Sequence, residues 1–355
     1  MSVELRNVTK LSGLETHIHE TNLKFEEGGF NILLGTTLSG KTTLLRLMAG
    51  LEKPSQGEVW FNGQNVTGMA VQKRNVSMVY QQFINYPNMT VYENIASPLR
   101  VLRMPAKVIK EKVGQVADLM KLTPMLDRMP NELSGGQQQR TALARALVKQ
   151  ADLVLLDEPL ANLDYKLREE LREELPKIFA GTGATVVYAT TEPVEAMLLG
   201  GYTATLNEGR VTQYGRTADV YHRPADLVSA EVFSDPPINT TRVEKKGDRF
   251  LLSDTVSWKV TPSLCHIPDG PYTIGFRPHH INLNPIGDSS VKVEGRVLIT
   301  EISGSESVAH VNVGDSNWVS LSHGIHQLEV GNTVELFIQT DHCFCFDNQR
   351  QRVTN

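Results

Sequence analysis

The residues Gly35-Thr36-Thr37-Leu38-Ser39-Gly40-Lys41-Thr42-Thr43 fit the spacing G-x-x-x-x-G-K-[ST]. A loop of this kind turns backbone N–H groups toward one point at a helix N-terminus. The helix dipole favours negative charge at that same point. Lys41 adds a compact positive charge suited to β- and γ-phosphates, and Thr42 adds a hydroxyl suited to Mg²⁺. Far along the chain, Asp157-Glu158-Pro159 closes an apolar run. Asp157 can reach a metal ion directly or through water, and Glu158 can act on an attacking water. An ordinary helix start would account for Asp-Glu-Pro in isolation; an apolar strand before it and a phosphate loop upstream argue for chemistry. Gln81 ends another short apolar segment, and its amide can ligate Mg²⁺ or orient water. Ser134-Gly135-Gly136 opens a helix and forms a second anion-binding cradle. The two cradles start helices of different subdomains. Two chains arranged head to tail would let each cradle serve a nucleotide held by the other chain.

These groups need a frame. Asn31–Leu34 reads as a buried strand and Thr43–Ala49 as a helix closed by Gly50. Ala151–Leu156 and Ala184–Ala189 are continuous apolar runs of strand length, as in a parallel sheet covered on both faces. Charged Asp164–Lys177 reads as an amphipathic helix. The chemistry-bearing residues therefore fall at strand carboxyl ends, where an open α/β sheet takes its ligand. Val3–Val8, Gly57–Phe61 and Asn75–Tyr80 read as further strands. Between Thr90 and Leu126 the spacing of apolar residues, with Pro98, Pro105 and Pro124, predicts a subdomain of short helices, about residues 90–130.

A chain of 355 residues favours two domains. Ser234-Asp-Pro-Pro237 reads as a linker, giving residues 1–233 and 238–355. Beyond it, Tyr272–Phe276, Val291–Ile299, Val308–Val313, Trp318–Leu321 and Val334–Ile338 are short alternating segments of an all-β module. A net charge of −5 gives no electrostatic footprint for nucleic acid. No apolar run is long enough to span a membrane, and Met1–Asn7 lacks the character of a signal peptide. Three cysteines, Cys265, Cys343 and Cys345, argue for a reducing compartment rather than a disulfide framework. His17 and His19 share one strand face; without a third ligand nearby they read as solvated or packed rather than metal-binding.

Taken together, the chain resembles the ATP-binding subunit of an ABC transporter. Leu133–Arg140, including Ser134, Gly135, Gly136 and Gln137, matches the family signature. Gly35–Thr42, Gln81, Leu153–Glu158 and Asn162-Leu163-Asp164 match its Walker A, Q-loop, Walker B and D-loop. Gly275-Phe-Arg-Pro-His-His-Ile281 resembles the motif of the C-terminal TOBE module in carbohydrate importers. The resemblance implies a RecA-like α/β core with an antiparallel β-subdomain and a helical signature subdomain, followed by an OB-like all-β domain. It implies ATP and Mg²⁺ as cofactors and ATP hydrolysis coupled to a permease. Thr42, Gln81 and Asp157 would hold the metal. Transmembrane permease subunits would dock on Phe83–Thr90. A second ATP-binding subunit and, indirectly, a substrate-binding protein outside the cell complete the set. The subunit would be peripheral, on the cytoplasmic face of the membrane.

Three residues depart from the family pattern. Thr191 stands where a His normally contacts the γ-phosphate. Ser12 stands where an aromatic residue normally stacks on adenine. Leu38 occupies a loop position that is usually Gly, and would be strained if that position needs a positive φ. A weakened site beside an intact signature suits one half of an asymmetric heterodimer. Tyr80–Pro87 and Ala189–Pro193 are similar to stretches of one subunit of bacterial glycerol importers, which use two different ATP-binding chains. The alternatives are a regulatory subunit that binds ATP but hydrolyses it poorly, and a non-transport ABC ATPase. The single phosphate loop and the C-terminal β-module argue against the last.

Overall fold

In order, the chain makes β1 (Val3–Ser12), β2 (Glu15–Phe25), β3 (Phe30–Gly35), α1 (Lys41–Ala49), β4 (Gln56–Phe61), β5 (Gln64–Asn65), β6 (Val76–Val79), α2 (Val91–Val101), α3 (Ala106–Leu119), α4 (Gly135–Val148), β7 (Leu153–Asp157), α5 (Tyr165–Phe179), β8 (Thr185–Thr190), α6 (Pro193–Leu199), β9 (Tyr202–Asn207) and β10 (Arg210–Arg216). Every residue of β3, β7 and β8 is buried, because these runs offer no polar face to water. They form the centre of a six-stranded sheet of order β10-β9-β3-β8-β7-β6. All its pairs are parallel except β9–β10. The carboxyl ends of β3, β7 and β8 are therefore neighbours, which brings distant sequence motifs to one edge. The computed structural model describes residues 1–353 other than Phe83, Asn162 and Gly181. Of the expected motifs, Phe83 and Asn162 lie outside the described residues, as do Gly181 of the expected first domain and Thr354 and Asn355 of the second.

A second sheet, β2-β1-β4-β5, is antiparallel throughout. One apolar cluster joins it to α1 and the central strands through residues such as Leu5, Val59, Leu44, Leu47, Leu33 and Leu155. Helix α1 ends at Gly50, whose φ of 80° permits its N–H to bond back to Arg46 and Leu47. The buried guanidinium of Arg74 donates to the carbonyls of Leu47 and Met48, satisfying the helix end that faces away from the phosphate loop. The helical layer opens at α2 with a capping box of Thr90 and Glu93. It runs past residue 130, because α4 packs on both α2 and α3.

The chain divides into two compact units, Met1–Val220 and Tyr221–Asn355. This places Tyr221–Phe233 with the second unit rather than before a linker at Ser234. The reason is apolar. Helix Leu227–Val232 buries Leu227 and Ala230 against Ile238, Phe344 and Phe346. The second unit contains two five-stranded antiparallel sheets. One is built on Asn239–Lys246 and Gly270–Phe276, the other on Ser290–Ser303, Glu306–Val313 and Ser316–His323. Phe276 and Trp318 meet edge to face at 5.0 Å in its core. Cys343 and Cys345 are free thiols; burial pushes the Cys343 pKa well up and that of Cys345 up to about 12, so neither is poised to react.

Candidate active site

Strand β3 delivers the glycine loop onto α1. Gly40 is the N-cap of α1, with φ at 102°, and no side chain caps the helix. A Cβ there would lie 2.7 Å from Ile18 Cδ1, so only glycine lets the loop pass this close to β2. The first intrahelical bond runs from the Leu44 N–H to the Gly40 carbonyl, which leaves the N–H groups of Lys41, Thr42 and Thr43 for an anion. The buried Ser39 Oγ also has no partner among the described residues. Leu38 has φ at 67°, so its position does demand the left-handed region, and its side chain stands in solvent. Leucine there costs about 1 kcal/mol relative to glycine.

The Lys41 side chain is 4 % exposed. It donates to the carbonyls of Gly35 at 2.8 Å and Thr36 at 2.9 Å. Its third neighbour is Glu158 Oε1 at 3.5 Å. Burial lowers the Lys41 pKa, and the carboxylates of Glu158 and Asp157 oppose that shift. Gln81 Nε2 donates to Glu158 Oε2 at 3.0 Å. The Thr42 hydroxyl donates to Asp157 Oδ1 at 3.0 Å. Asp157 is buried, and desolvation raises its pKa; the Thr42 hydrogen bond works against this, while the charge of Glu158 adds to it. Lys41, Thr42, Gln81, Asp157 and Glu158 are thus brought together from three separate stretches of sequence. Their donor set, one ammonium, one hydroxyl, one amide and two carboxylates beside free helix N–H groups, fits a nucleotide polyphosphate with Mg²⁺. Glu158 holds a positive φ of 46°, and its N–H is bound to the Ala189 carbonyl at the end of β8.

A cleft of about 790 Å³ opens over the loop. Residues of the loop and the start of α1, Thr37 to Thr43, line it together with Gln81 and Glu158. Glu15, Thr16, His17, His19, Glu208 and Gly209 line it as well. Ser12 does not line this cleft. It lies opposite Glu15 at the exposed tip of the β1–β2 hairpin, where three register shifts displace the strand end. His17 and His19, on the next strand, do line it. The sequence shows them on one strand face, but not that this face looks onto the loop. Glu208 and Gly209 belong to the β9–β10 turn, which apolar patterning does not single out.

Thr191 follows β8 and is exposed, and no hydrogen bond to its hydroxyl exists among the described residues. Ser134 is the N-cap of α4. Its Oγ accepts from the Gln137 N–H and its N–H donates to Gln137 Oε1, a complete capping box. Ser134, Gly135, Gly136 and Gln137 do not line the cleft of their own chain, so one chain does not unite its two cradles. The buried Gln139 amide reaches the Pro159 carbonyl, tying α4 to the loop after Glu158.

The segment after Gln81 is held by its backbone. Buried Asn94 accepts from the Tyr86 N–H and donates to the carbonyls of Tyr86, Met89 and Thr90. Arg145 of α4 donates to the Ile84 carbonyl at 2.5 Å and lies 4.8 Å over the Tyr86 ring. Asn85 donates to the Gln138 carbonyl. Ile84 and Tyr86 project outward, 54 % and 47 % exposed.

Comparison with known proteins places the chain. The ABC transporter family pattern matches residues 18–161, and the TOBE domain pattern matches residues 274–346. The trehalose/maltose import ATP-binding protein of Thermococcus litoralis is 36% identical over 363 residues, covering 97% of each chain. The sn-glycerol-3-phosphate import ATP-binding protein of Escherichia coli is 35% identical over 355 residues, covering 99% of each. A solved dimeric ATP-binding cassette in a post-hydrolysis state, bound to ADP and Pi, is 30% identical with a TM-score of 0.55; the match covers 61% of this chain and 98% of that one. The chain belongs to the ABC transporter family: it is an ATP-binding subunit and an ATPase, with a C-terminal TOBE domain.

Proposed function

We propose that this ABC-family ATPase powers an importer for a small polyhydroxy solute, a carbohydrate or polyol of the glycerol class. The observation that carries the motor reading is the meeting of Lys41, Gln81, Asp157, Thr42 and Glu158 at adjoining strand ends. The solute class rests on relatives named for the import of trehalose, maltose and sn-glycerol-3-phosphate. In this reading the amides of Gly35–Thr43 and the Lys41 ammonium hold the β- and γ-phosphates. Thr42, Asp157 and Gln81 hold Mg²⁺, which when bound neutralises charge developing on the phosphate oxygens. Glu158 orients and deprotonates the attacking water. Ser134, Gly135, Gly136 and Gln137 face the nucleotide of a second ATP-binding subunit. The backbone-held segment to Thr90 presents Ile84 and Tyr86 to transmembrane permease subunits, and a substrate-binding protein delivers the solute from outside. Since no helix among the described residues is long and apolar enough to cross a membrane, the permease supplies the path. The subunit works from the cytoplasmic face.

A second reading has a specific observation behind it. Thr191 is short, exposed and unbonded where the family pattern has His, so this chain's own site would turn over slowly. That reading makes the partner a different, stronger ATP-binding chain, although the relatives lend the heterodimer no support. Steady-state ATPase rates of the complex reconstituted with its permease test both readings. Gly135→Asp sets a carboxylate against the partner's γ-phosphate and should nearly abolish turnover. With an asymmetric pair, Glu158→Gln should cost much less. Equal, near-complete losses refute the asymmetry and leave the motor reading standing. Turnover undiminished by either substitution refutes the motor reading.

A further inference from the structure

Residue 191 and the carboxylate of Glu158 must act on one phosphate if the proposed function holds, yet they come from different strands. The parallel pairing of β7 with β8 carries as far as the Glu158 N–H and the Ala189 carbonyl, 3.0 Å apart. Beyond that bond the two segments diverge. One runs through Leu160, Ala161 and Leu163 toward α5; the other runs through Thr191 and Glu192 into α6.

Arg168 spans the gap. Arg168, in the first turn of α5, donates through Nη2 to the carbonyls of Ala161 at 3.1 Å and Leu163 at 3.4 Å. Through Nη1 it donates to Glu192 Oε1 at 3.0 Å. The Ala161 N–H in turn bonds to the Glu158 carbonyl at 3.3 Å, and the Glu192 N–H bonds to the Thr190 hydroxyl at 3.0 Å. Arg168 therefore closes a ring that contains the main chain of Glu158 on one side and Thr190–Glu192 on the other.

The far side of the ring is anchored. Arg172, one turn along α5, pairs with Glu192, with Glu195 at 3.3 Å and with Glu169. Glu195 is buried and accepts from the Tyr188 hydroxyl at 2.9 Å and the Thr190 hydroxyl at 2.6 Å. Arg172 and Glu195 are both buried, and such a pair holds one geometry because each loses much if its partner moves away. Arg172 fixes Glu192, and Arg168 transmits that position to the loop that follows Glu158.

We infer that Arg168 is a positioning residue for hydrolysis: it sets the spacing between the loop after Glu158 and the segment carrying Thr191. The inference deepens the proposed function and rests on it. Arg168 does not line the cleft over the phosphate loop, so binding should be spared while the chemical step suffers.

The test uses the full chain with its permease. Arg168→Ala should lower kcat by about 10- to 100-fold, the scale for a misplaced catalytic group, with KM for ATP within about twofold of wild type. Arg168→Lys keeps a cation for Glu192 and a donor for one carbonyl, and should recover part of kcat. Glu192→Ala combined with Arg168→Ala should cost little more than Arg168→Ala alone, since the two act as a unit. Unchanged kcat in Arg168→Ala overturns the inference. So does a parallel loss of kcat, ATP affinity and thermal midpoint that lysine does not relieve, because that pattern belongs to a merely structural arginine. A wild-type complex that does not hydrolyse ATP overturns the functional reading and this inference together; an active wild type with an indifferent Arg168 overturns this inference alone.

Discussion

Replacing Asp157 by Asn should stabilise the chain while disabling it. Asp157 is 2 % exposed, and its one bonded neighbour among the described side chains is the Thr42 hydroxyl. Asn keeps an oxygen for that hydroxyl and nearly the same volume, but carries no charge. Burial raises the Asp157 pKa above the unfolded value of about 3.9. The folded chain therefore holds that proton more tightly than the unfolded chain does. Above the folded pKa the ionised carboxylate costs stability; the cost fades as pH falls and is gone below the unfolded value. Without divalent cations near neutral pH, Asp157→Asn should thus gain about 1 kcal/mol, the usual return for removing one strained functional group. For a unit of this size that is about 2–4 °C in the first thermal transition. The gain should shrink steadily in acid. Turnover by the reconstituted complex should fall by about 10²–10³. Thermal unfolding followed by circular dichroism in a chelator, over a series of pH values, reads the stability arm. An Asn variant less stable than wild type near neutral pH, or a gain that grows in acid, would refute the argument from burial.

Lys41→Ala should weaken equilibrium binding of labelled ATP by about 100-fold, because a buried charge-assisted contact to phosphate is lost; unchanged affinity would remove the loop from its central role. A fragment ending at Val220 should fold and bind ATP alone, since the nucleotide-facing groups and their core lie within Met1–Val220. A soluble, folded fragment that fails to bind would show that the β-module contributes to the site.

Much of this arrangement is legible before folding because strongly apolar strands announce themselves. Asn31–Leu34, Ala151–Leu156 and Ala184–Ala189 carry no polar face, and each becomes a buried parallel strand with its reactive residues at the carboxyl end. The strain at Leu38 is also foreseeable from its place in the motif. Other features are not. The left-handed backbone of Glu158 depends on the Ala189 carbonyl, more than thirty residues away in the chain. Strands Asn239–Lys246, Arg249–Leu251 and Ser257–Lys259 mix Thr, Arg, Glu and Lys, so their pattern is too polar to stand out. The boundary near Ser234 is drawn from two prolines, whereas the actual division is decided by Leu227 and Ala230 finding Phe344 and Phe346, a partnership no local signal carries.

The way Asn94 and Arg145 grip the segment Ile84–Thr90 has a consequence for descent. Asn94 bonds to four main-chain groups there, and Arg145 to the Ile84 carbonyl, none of which changes when a side chain is exchanged. The shape of the segment is thus inherited separately from the surface it displays. If this segment meets the permease as proposed, Ile84 and Tyr86 can drift in step with a changing membrane partner, while the mechanical link to α4 stays as it was. A duplicated gene could in this way acquire a new permease by a few outward-facing substitutions and keep an unaltered engine.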